Sequence, residues 1–308
     1  MPMIEIQNLS KLFGAKRALD NLTFTLEKGK PIALVGPNGA GKTTLFSILC
    51  GYIFPSAGEV SIFGEKPGSN SLFGRLSALP QDAQLDPRFA ISYQLEFYAR
   101  LQGISAKDAR MEAERVLDLV QLKDVLKEKP AQLSHGMRKR VAIAQALMGT
   151  PELVLLDEPS AGLDPVNARN IRDMVAELSD KVTFIISSHN LHELEQLCST
   201  VLYLQQGKLS QQTNVSKFTG ESGFLTLLLE ENTISMEQIQ QAFAQIAGFE
   251  KVTPSQKNEF LLQYHAQQNP VFDQHLLACL TENNWNYRQL IKGKTLEEQL
   301  FSREDLTS

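Results

Sequence analysis

One nine-residue segment constrains the fold of this chain more than any other. Residues 36–44 read Gly-Pro-Asn-Gly-Ala-Gly-Lys-Thr-Thr, which has the P-loop spacing of a glycine, four further residues and Gly-Lys-Thr. The apolar run at 31–35 predicts a buried parallel strand before this segment, and residues 44–50 predict an amphipathic helix after it. A strand, a glycine-rich loop and a helix in this order predict an α/β fold.

The residue types in the loop indicate its chemistry. Glycines let the backbone curl around a polyphosphate so that several N–H groups point inward, and the start of the helix adds a partial positive charge. Lys42 can reach the outer phosphates, and the Thr43 hydroxyl can hold Mg2+. We therefore predict a nucleoside triphosphate site formed by Gly36, Pro37, Asn38, Gly39, Ala40, Gly41, Lys42, Thr43 and Thr44.

The composition argues against several other classes of protein. The 308 residues carry a net charge of -5, which does not suit a general nucleic-acid binder. No apolar run approaches the roughly 18 residues that span a bilayer, and the first residues contain no signal-peptide core. The three cysteines are widely spaced beside apolar neighbours, which favours buried thiols over a metal site or a redox pair. We expect a soluble, cytoplasmic protein.

A pair of adjacent carboxylates follows a second predicted strand. Residues 153–156 are a continuous apolar run, and Asp157 and Glu158 come directly after it. Neighbouring carboxylates repel each other unless a cation or a proton relieves them, so a Mg2+ site explains the pair better than a surface turn does. His189 follows the strand predicted at 182–186, at the end where open α/β sheets place their ligands, and we expect it at the site too.

The region between these motifs reads as helical. The pattern at 92–126 predicts an inserted helical subdomain, and Ser134 is suited to begin a further helix that ends at 149–151. Three cations crowd the first turn of that helix and oppose its dipole: Arg138, Lys139 and Arg140. The residues alone leave two interpretations open, a solvated basic face and a helix end that meets an anion.

The N-terminal segment predicts short antiparallel strands. Apolar alternation at 4–9 and 23–26 is typical of edge strands. Phe13 lies between them, just before the turn glycine Gly14. Its ring could stack on a nucleotide base or pack in the core, and its position alone favours the core.

The composition changes after residue 209. Residues 210–214 are polar and predict a linker. The rest predicts the order β-α-β-β-α-β of a ferredoxin-like domain, from strands at 224–230, 249–253, 259–264 and 285–290 and helices at 236–246 and 271–280. A short helix at 295–301 would follow it, and we find no catalytic constellation in this region.

An aromatic residue and six motifs that follow it in order resemble those of the ATP-binding cassette (ABC) transporter ATPases, and the match runs from about residue 3 to 209. The resemblance makes Phe13 the base-stacking aromatic, 36–43 the P-loop and Gln81 the Q-loop. It also implies a family signature at 133–137, a Walker B pair at Asp157 and Glu158, a D-loop at Leu163 and Asp164, and a switch histidine at His189.

The signature departs from the usual sequence of the family. The usual form is Leu-Ser-Gly-Gly-Gln, whereas this chain has Leu-Ser-His-Gly-Met. Ser134 and Gly136, which present a hydroxyl and a backbone N–H to a phosphate, are kept, while His135 and Met137 are replacements. This form is similar to versions in the exporter branches. Residues 295–301 likewise look like the Leu-Glu-aromatic ending of bacterial multidrug, antibiotic and polysaccharide exporter cassettes.

The resemblance implies a fold, a reaction and partners. The fold would be a P-loop NTPase cassette over 1–215, with an antiparallel β subdomain and a helical subdomain at about 85–150, followed by a small α+β domain over 216–308. Two copies would trap ATP between the P-loop of one and the signature of the other. The Mg2+ ligands would be Thr43, Gln81 and Asp157, and hydrolysis would rest on Lys42, Glu158 and His189.

An integral membrane permease subunit would dock at 92–126 and hold the chain on the cytoplasmic face of the inner membrane, where it would drive export. Three other readings remain. The chain could be an ATP-driven clamp that transmits force without cargo. It could be a cassette ATPase acting on DNA or ribosomes, although it has neither the long coiled coils nor the paired cassettes of those proteins. A P-loop kinase is disfavoured by the signature and the switch histidine.

Overall fold

The protein is described from a computed structural model, which covers residues 2–188, 194, 197–198, 200–214, 222–230, 234–255 and 257–292. The chain forms two compact units, Met1–Asn214 and Val215–Ser308, and each is described by itself. None of the helices in these described ranges combines the length and the apolar character needed to span a bilayer.

The first unit contains a three-stranded antiparallel sheet. Its strands are β1 (Ile4–Phe13), β2 (Lys16–Leu26) and β4 (Ala57–Ile62), in the order β2-β1-β4. β1 and β2 are longer than the alternation at 4–9 and 23–26 predicted. Asn8 and Asn21 adopt positive φ angles of 50° and 55°, and the register shifts between Ile6 and Leu9. Such irregularities break the two-residue period by which strands are read from sequence.

A six-stranded sheet carries the P-loop. Its strands are β3 (Ile32–Val35), β5 (Leu76–Leu79), β6 (Leu153–Asp157), β7 (Thr183–Ser188), β8 (Thr200–Gln205) and β9 (Lys208–Asn214). Their order is β5-β6-β7-β3-β8-β9, and all neighbours are parallel except β8 and β9. Every residue of β3, β6 and β7 is buried, which explains their continuous apolar runs.

The predicted linker at 210–214 is wrong. These residues belong to β9, which pairs antiparallel with β8 from Lys208 opposite Gln205 to Asn214 opposite Thr200. β9 is the last strand of the sheet, so its backbone pairs on one side only. An edge strand tolerates polar residues, and for that reason its composition resembled a linker.

Five helices complete the first unit's described part: α1 (Lys42–Leu49), α2 (Ile91–Leu101), α3 (Ala106–Leu119), α4 (His135–Ala146) and α5 (Pro165–Leu178). The helical pattern predicted at 92–126 divides into α2, α3 and a short 3-10 turn at Lys123–Val125. The chain turns at Gly103, where φ is 85°, and α3 restarts at Ser105, whose hydroxyl accepts a hydrogen bond from Asp108 N at 3.2 Å.

The second unit has its own sheet and core. Its elements are β10 (Ser222–Leu229), α6 (Met236–Phe243), β11 (Phe249–Pro254), β12 (Glu259–His265), α7 (Phe272–Glu282) and β13 (Tyr287–Lys292). The sheet order is β11-β12-β10-β13, with every neighbouring pair antiparallel. This element order agrees with the sequence-based expectation, and its core includes Leu225, Leu227, Ile239, Phe243 and Leu276. The helix predicted at 295–301 lies outside the described residues.

Candidate functional site

The P-loop leaves β3 and enters α1 through glycines whose backbone no other residue would adopt easily. Gly36 has a φ of 156°, and a Cβ there would lie 2.1 Å from the carbonyl oxygen of Leu204 on β8. Gly41 precedes α1 with a φ of 112°. Both positions therefore require glycine for conformation and for space, which is why the loop can wrap closely around a ligand.

Lys42 is the buried cation of this loop, with 6% of its surface exposed. Its Nζ donates a hydrogen bond to Gly36 O at 2.7 Å and a longer one to Pro37 O at 3.4 Å. The same Nζ lies 3.5 Å from Glu158 Oε1, and Glu158 is itself 7% exposed. A buried ammonium and a buried carboxylate compensate each other, so the loop lysine and the carboxylate after β6 form one electrostatic unit.

Asp157 connects the loop helix with two neighbouring strands. The Thr43 hydroxyl donates to Asp157 Oδ2 at 2.9 Å, and the Ser187 hydroxyl donates to Asp157 Oδ1. Ser187 Oγ also accepts a hydrogen bond from Glu158 N at 2.9 Å. Sequence reasoning missed Ser187, whose signal was a polar residue at the end of a buried strand that turns out to lie beside β6.

These residues line one cleft. It has a volume of about 470 Å³ and is lined by Phe13, Lys16, Ala18, Asn38, Gly39, Ala40, Gly41, Lys42, Thr43, Thr44, Gln81, Asp157 and Glu158. The P-loop backbone, two lysines and two carboxylates converge there, as a triphosphate with a divalent cation requires.

The donor set at the base of the cleft fits Mg2+. A hydroxyl oxygen of Thr43 and a carboxylate oxygen of Asp157 lie side by side, and hard cations of this kind take oxygen ligands. No group of three or more His, Cys, Asp or Glu side chains in the described ranges could hold a metal ion. Mg2+ takes one or two protein ligands at a phosphate site and completes its shell with phosphate and water.

Phe13 does not pack in the core, so the interpretation favoured by its position is wrong. About half of its surface, 49%, is exposed, and the ring lines the cleft. Lys11 Nζ lies 5.0 Å from the ring centroid. The ring is exposed because β1 extends to Phe13 and ends at the rim of the cleft, instead of stopping near residue 9.

The signature segment begins α4 as predicted. Ser134 caps the helix, and its hydroxyl accepts a hydrogen bond from Met137 N at 3.2 Å. Ser134 and His135 are exposed, whereas Gly136 is buried. None of the described residues that line the P-loop cleft comes from Ser134, His135, Gly136 or Met137. The structure therefore keeps the two sets of candidate residues on separate surfaces of one chain.

The three cations after the signature are half-buried, and so they are only partly solvated. Each donates to a backbone carbonyl: Arg138 to Pro130 O at 3.4 Å, Lys139 to Gln81 O at 3.0 Å and Arg140 to Val120 O at 3.4 Å. Burial lowers the pKa of Lys139. These hydrogen bonds hold α4 against the neighbouring segments.

Gln81 and Asp164 have different surroundings. Gln81 is exposed, lines the cleft and is tied to α4 through its carbonyl oxygen and Lys139. Asp164 caps α5, because its Oδ1 accepts hydrogen bonds from Val166 N at 3.1 Å and Asn167 N at 3.0 Å. Hydrogen bonds from the backbone and side chain of Asn167 hold the pKa of Asp164 below its usual value. His189 lies outside the described residues.

Comparison with known proteins gives a consistent result. The family model described as ABC transporter matches residues 19–161. The chain is 32% identical over 210 residues to the linearmycin resistance ATP-binding protein LnrL of Bacillus subtilis (strain 168), covering 67% of this chain and 68% of the relative. It is 35% identical over 209 residues to Nod factor export ATP-binding protein I of Burkholderia lata, with the same shares covered.

Solved structures of ATP-binding cassettes match the fold of 70% of this chain. A dimeric post-hydrolysis structure of the ATP-binding cassette MJ0796 bound to ADP and Pi matches with a TM-score of 0.63 and 25% identity, covering 70% of this chain and 100% of that chain. A second dimeric structure of MJ0796, a bacterial ABC transporter cassette, matches with a TM-score of 0.63 and 26% identity over the same shares.

Proposed function

Because the chain belongs to the ABC transporter family of ATPases, we propose that two copies close head to tail around two ATP molecules and drive export through a separate membrane subunit. The chain is the ATP-binding and ATP-hydrolysing subunit of such a transporter. One observation carries the dimer proposal. The cleft is lined by the P-loop and both carboxylates but by no signature residue among those described, and in this proposal a second chain supplies the signature.

Within each pocket the roles follow from position. Lys42 and the amides of residues 36–44 neutralise the phosphates, and Glu158 polarises the attacking water. His189, which lies outside the described residues, would contact the γ-phosphate, as the resemblance to the family implies. Phosphoryl transfer needs positioning and charge stabilisation more than covalent chemistry, and buried, prearranged groups supply both.

Thr43, Asp157 and Gln81 would hold Mg2+, with Asp157 acting through water. The ion, when bound, neutralises charge on the phosphate oxygens. Thr43 and Asp157 already share a hydrogen bond at 2.9 Å, and Ser187 fixes the other carboxylate oxygen. The chain's own contribution is thus a pair of oxygens held at the base of the cleft by three elements of the fold.

The completing group comes from the partner chain. Ser134 is exposed at the start of α4, where the hydroxyl and the helix N-terminus can meet a phosphate. Gly136 offers a backbone N–H, and His135 and Met137 flank it. This partner's helix end would serve as an arginine finger does in other phosphoryl-transfer enzymes.

Export is supported by the relatives. One is described as a linearmycin resistance protein and another as a Nod factor export protein, and both are ATP-binding proteins. We assign residues 1–215 to the nucleotide-binding domain, with a helical subdomain at about 85–150, and 216–308 to an accessory domain. The chain would lie on the cytoplasmic face of the inner membrane, held there by its permease.

A stripe of exposed apolar residues, which begins just before α2 and continues along it, supports a docking surface for that permease. Phe89, Tyr93, Phe97 and Leu101 are spaced four residues apart and are 40%, 58%, 52% and 61% exposed. The rings of Phe89 and Tyr93 stack at 4.9 Å. Spacing of four residues keeps side chains on one face of a helix, and exposed aromatic groups are enriched at the centres of interfaces.

Replacing Tyr93 and Phe97 together by alanine is expected to weaken association with the membrane subunit by about 10-fold or more, since truncated interface aromatics often cost 2 kcal/mol or more. Co-purification of the two proteins from detergent extracts of membranes measures this association. Phe73→Ala is the matched control, because Phe73 is 65% exposed and lies outside residues 92–126. Wild-type association of the double variant would contradict this docking surface.

Phe13→Ala is expected to raise the Kd for ATP by about 10-fold, because stacking of a base on an aromatic ring contributes about 1–3 kcal/mol. Phe13→Tyr should keep the parent affinity. Leu12→Ala is the matched control, since Leu12 is 41% exposed but does not line the cleft. Titration with a fluorescent ATP analogue and with the corresponding triphosphate lacking a base separates stacking from phosphate binding. Equal weakening for both ligands would contradict the stacking role.

A further inference from the structure

The signature segment of α4 rests directly on the start of α5. A Cβ placed on Gly136 would lie 2.3 Å from Asn167 Oδ1 and 2.4 Å from Asn167 Cγ. A methyl group would fit there only if the Asn167 side chain moved. Glycine at position 136 therefore lets the Asn167 amide lie against the backbone of the signature segment.

The Asn167 side chain is not free to swing away from this contact. Its Nδ2 donates a hydrogen bond to Asp164 Oδ2 at 2.6 Å. Asp164 is fixed in turn, because its Oδ1 accepts from Val166 N and Asn167 N as the cap of α5. The Nδ2 of Asn167 is thus hydrogen-bonded to the D-loop carboxylate of Asp164, while its Oδ1 lies against the signature glycine Gly136.

His135, the neighbour of Gly136, also lies near the turn before α5. Its Nε2 is 3.7 Å from where a Cβ on Gly162 would lie, so a side chain at 162 would touch the His135 ring. Gly162 adopts a φ of 75° in the turn between Glu158 and Asp164. The start of α4 therefore lies against the start of α5 at Gly136 and close to the preceding turn at His135.

We propose that Asn167 is a positioning residue that locks the signature segment to the D-loop of the same chain, so that both reach the partner's ATP as one preformed surface. The inference rests on the proposed function. Asn167 itself touches no ATP and acts through Gly136 and Asp164. Misplacing reactive groups by about 1 Å can cost on the order of 100-fold in rate, so a small side chain in this position can govern closure.

Asn167→Asp is the variant that isolates this role. It keeps the shape pressed against Gly136, but it replaces the donor facing Asp164 Oδ2 with a carboxylate oxygen, and two carboxylates at hydrogen-bond distance repel. We expect kcat to fall by about 10- to 100-fold. We also expect ATP-driven dimerisation to fail in a Glu158→Gln background, while the Kd of the single chain for ATP stays within about twofold, because the P-loop is untouched.

The control and the rescue also exchange asparagine and aspartate side chains. Asn170→Asp makes the identical change at an exposed position one turn along α5, and it should behave as the parent does. Asp164→Asn with Asn167→Asp reverses the hydrogen bond and should recover at least half of the dimer that the parent chain forms.

Each outcome decides the question. Loss with Asn167→Asp and recovery in the reversed pair support the positioning role. Parental dimerisation of Asn167→Asp, a weaker single-chain Kd for ATP, or failure of the reversed pair would each overturn it. A parent chain that does not dimerise with ATP in the Glu158→Gln background would instead contradict the proposed function, so the two failures are distinguishable.

Discussion

Glu158→Gln is expected to lower ATP turnover by about 100- to 10,000-fold while the Kd for ATP stays within about twofold, since general-base assistance contributes factors of that size. Glu158 follows β6 with a φ of 50°, a conformation that few side chains adopt, and its backbone N–H is held by Ser187. This places the carboxylate 3.5 Å from Lys42 Nζ in the cleft. Glutamine keeps the shape and removes only the charge and the basic oxygen.

The matched control is Glu152→Gln, just before the other end of the same strand. Glu152 forms ion pairs with Arg75 at 2.7 Å and with Lys28 at 3.0 Å, outside the cleft. Losing a partly exposed ion pair costs about 1 kcal/mol or less of stability and should leave turnover near that of the parent. For both variants, turnover is measured by steady-state phosphate release and the Kd for ATP by equilibrium binding. Parental turnover by Glu158→Gln would exclude Glu158 as the general base.

Lys42→Met is expected to weaken ATP binding by about 100-fold, because a hydrogen bond to a charged group contributes about 1.5–3 kcal/mol and each 1.4 kcal/mol is a factor of ten. Methionine keeps most of the stem volume of this buried side chain, so the loss reports on the ammonium group. Lys42→Met is expected to raise the Kd of the single chain for ATP, whereas Glu158→Gln should leave that Kd nearly unchanged. Equilibrium titration measures the change in Kd.

Lys30→Ala removes the same charge at an exposed position and serves as the control. Because Lys42 also faces Glu158 and two loop carbonyls, the thermal midpoint of Lys42→Met must be measured beside its affinity. A folded Lys42→Met protein that binds ATP as the parent does would contradict the assigned role of the loop lysine.

Local patterns were sufficient to predict the elements around the cleft. The P-loop spacing, the buried runs that became β3 and β6, and the Ser134 cap each depend on residues close together in sequence, and sequence reasoning identified them. The element order of the second unit was also predicted from the sequence, because its four short strands and two amphipathic helices each have a local pattern.

The contacts that fix the candidate site could not be predicted in the same way. Ser187 meets Asp157 because β7 lies beside β6, and Asn167 meets Gly136 because α5 crosses the start of α4. Both pairs depend on the three-dimensional arrangement of segments about 30 residues apart, for which no local pattern exists. The same reason explains why the basic turn at Lys139 was ambiguous until its bond to Gln81 was seen.

The most direct test of the composite site is the mass of the Glu158→Gln protein in solution with ATP and Mg2+, measured by sedimentation equilibrium. We expect a dimer of twice the 34.3 kDa chain that retains one ATP per chain and dissociates when nucleotide is removed. A variant that binds ATP but remains a single chain, both alone and beside the membrane subunit, would contradict a site completed by a second copy.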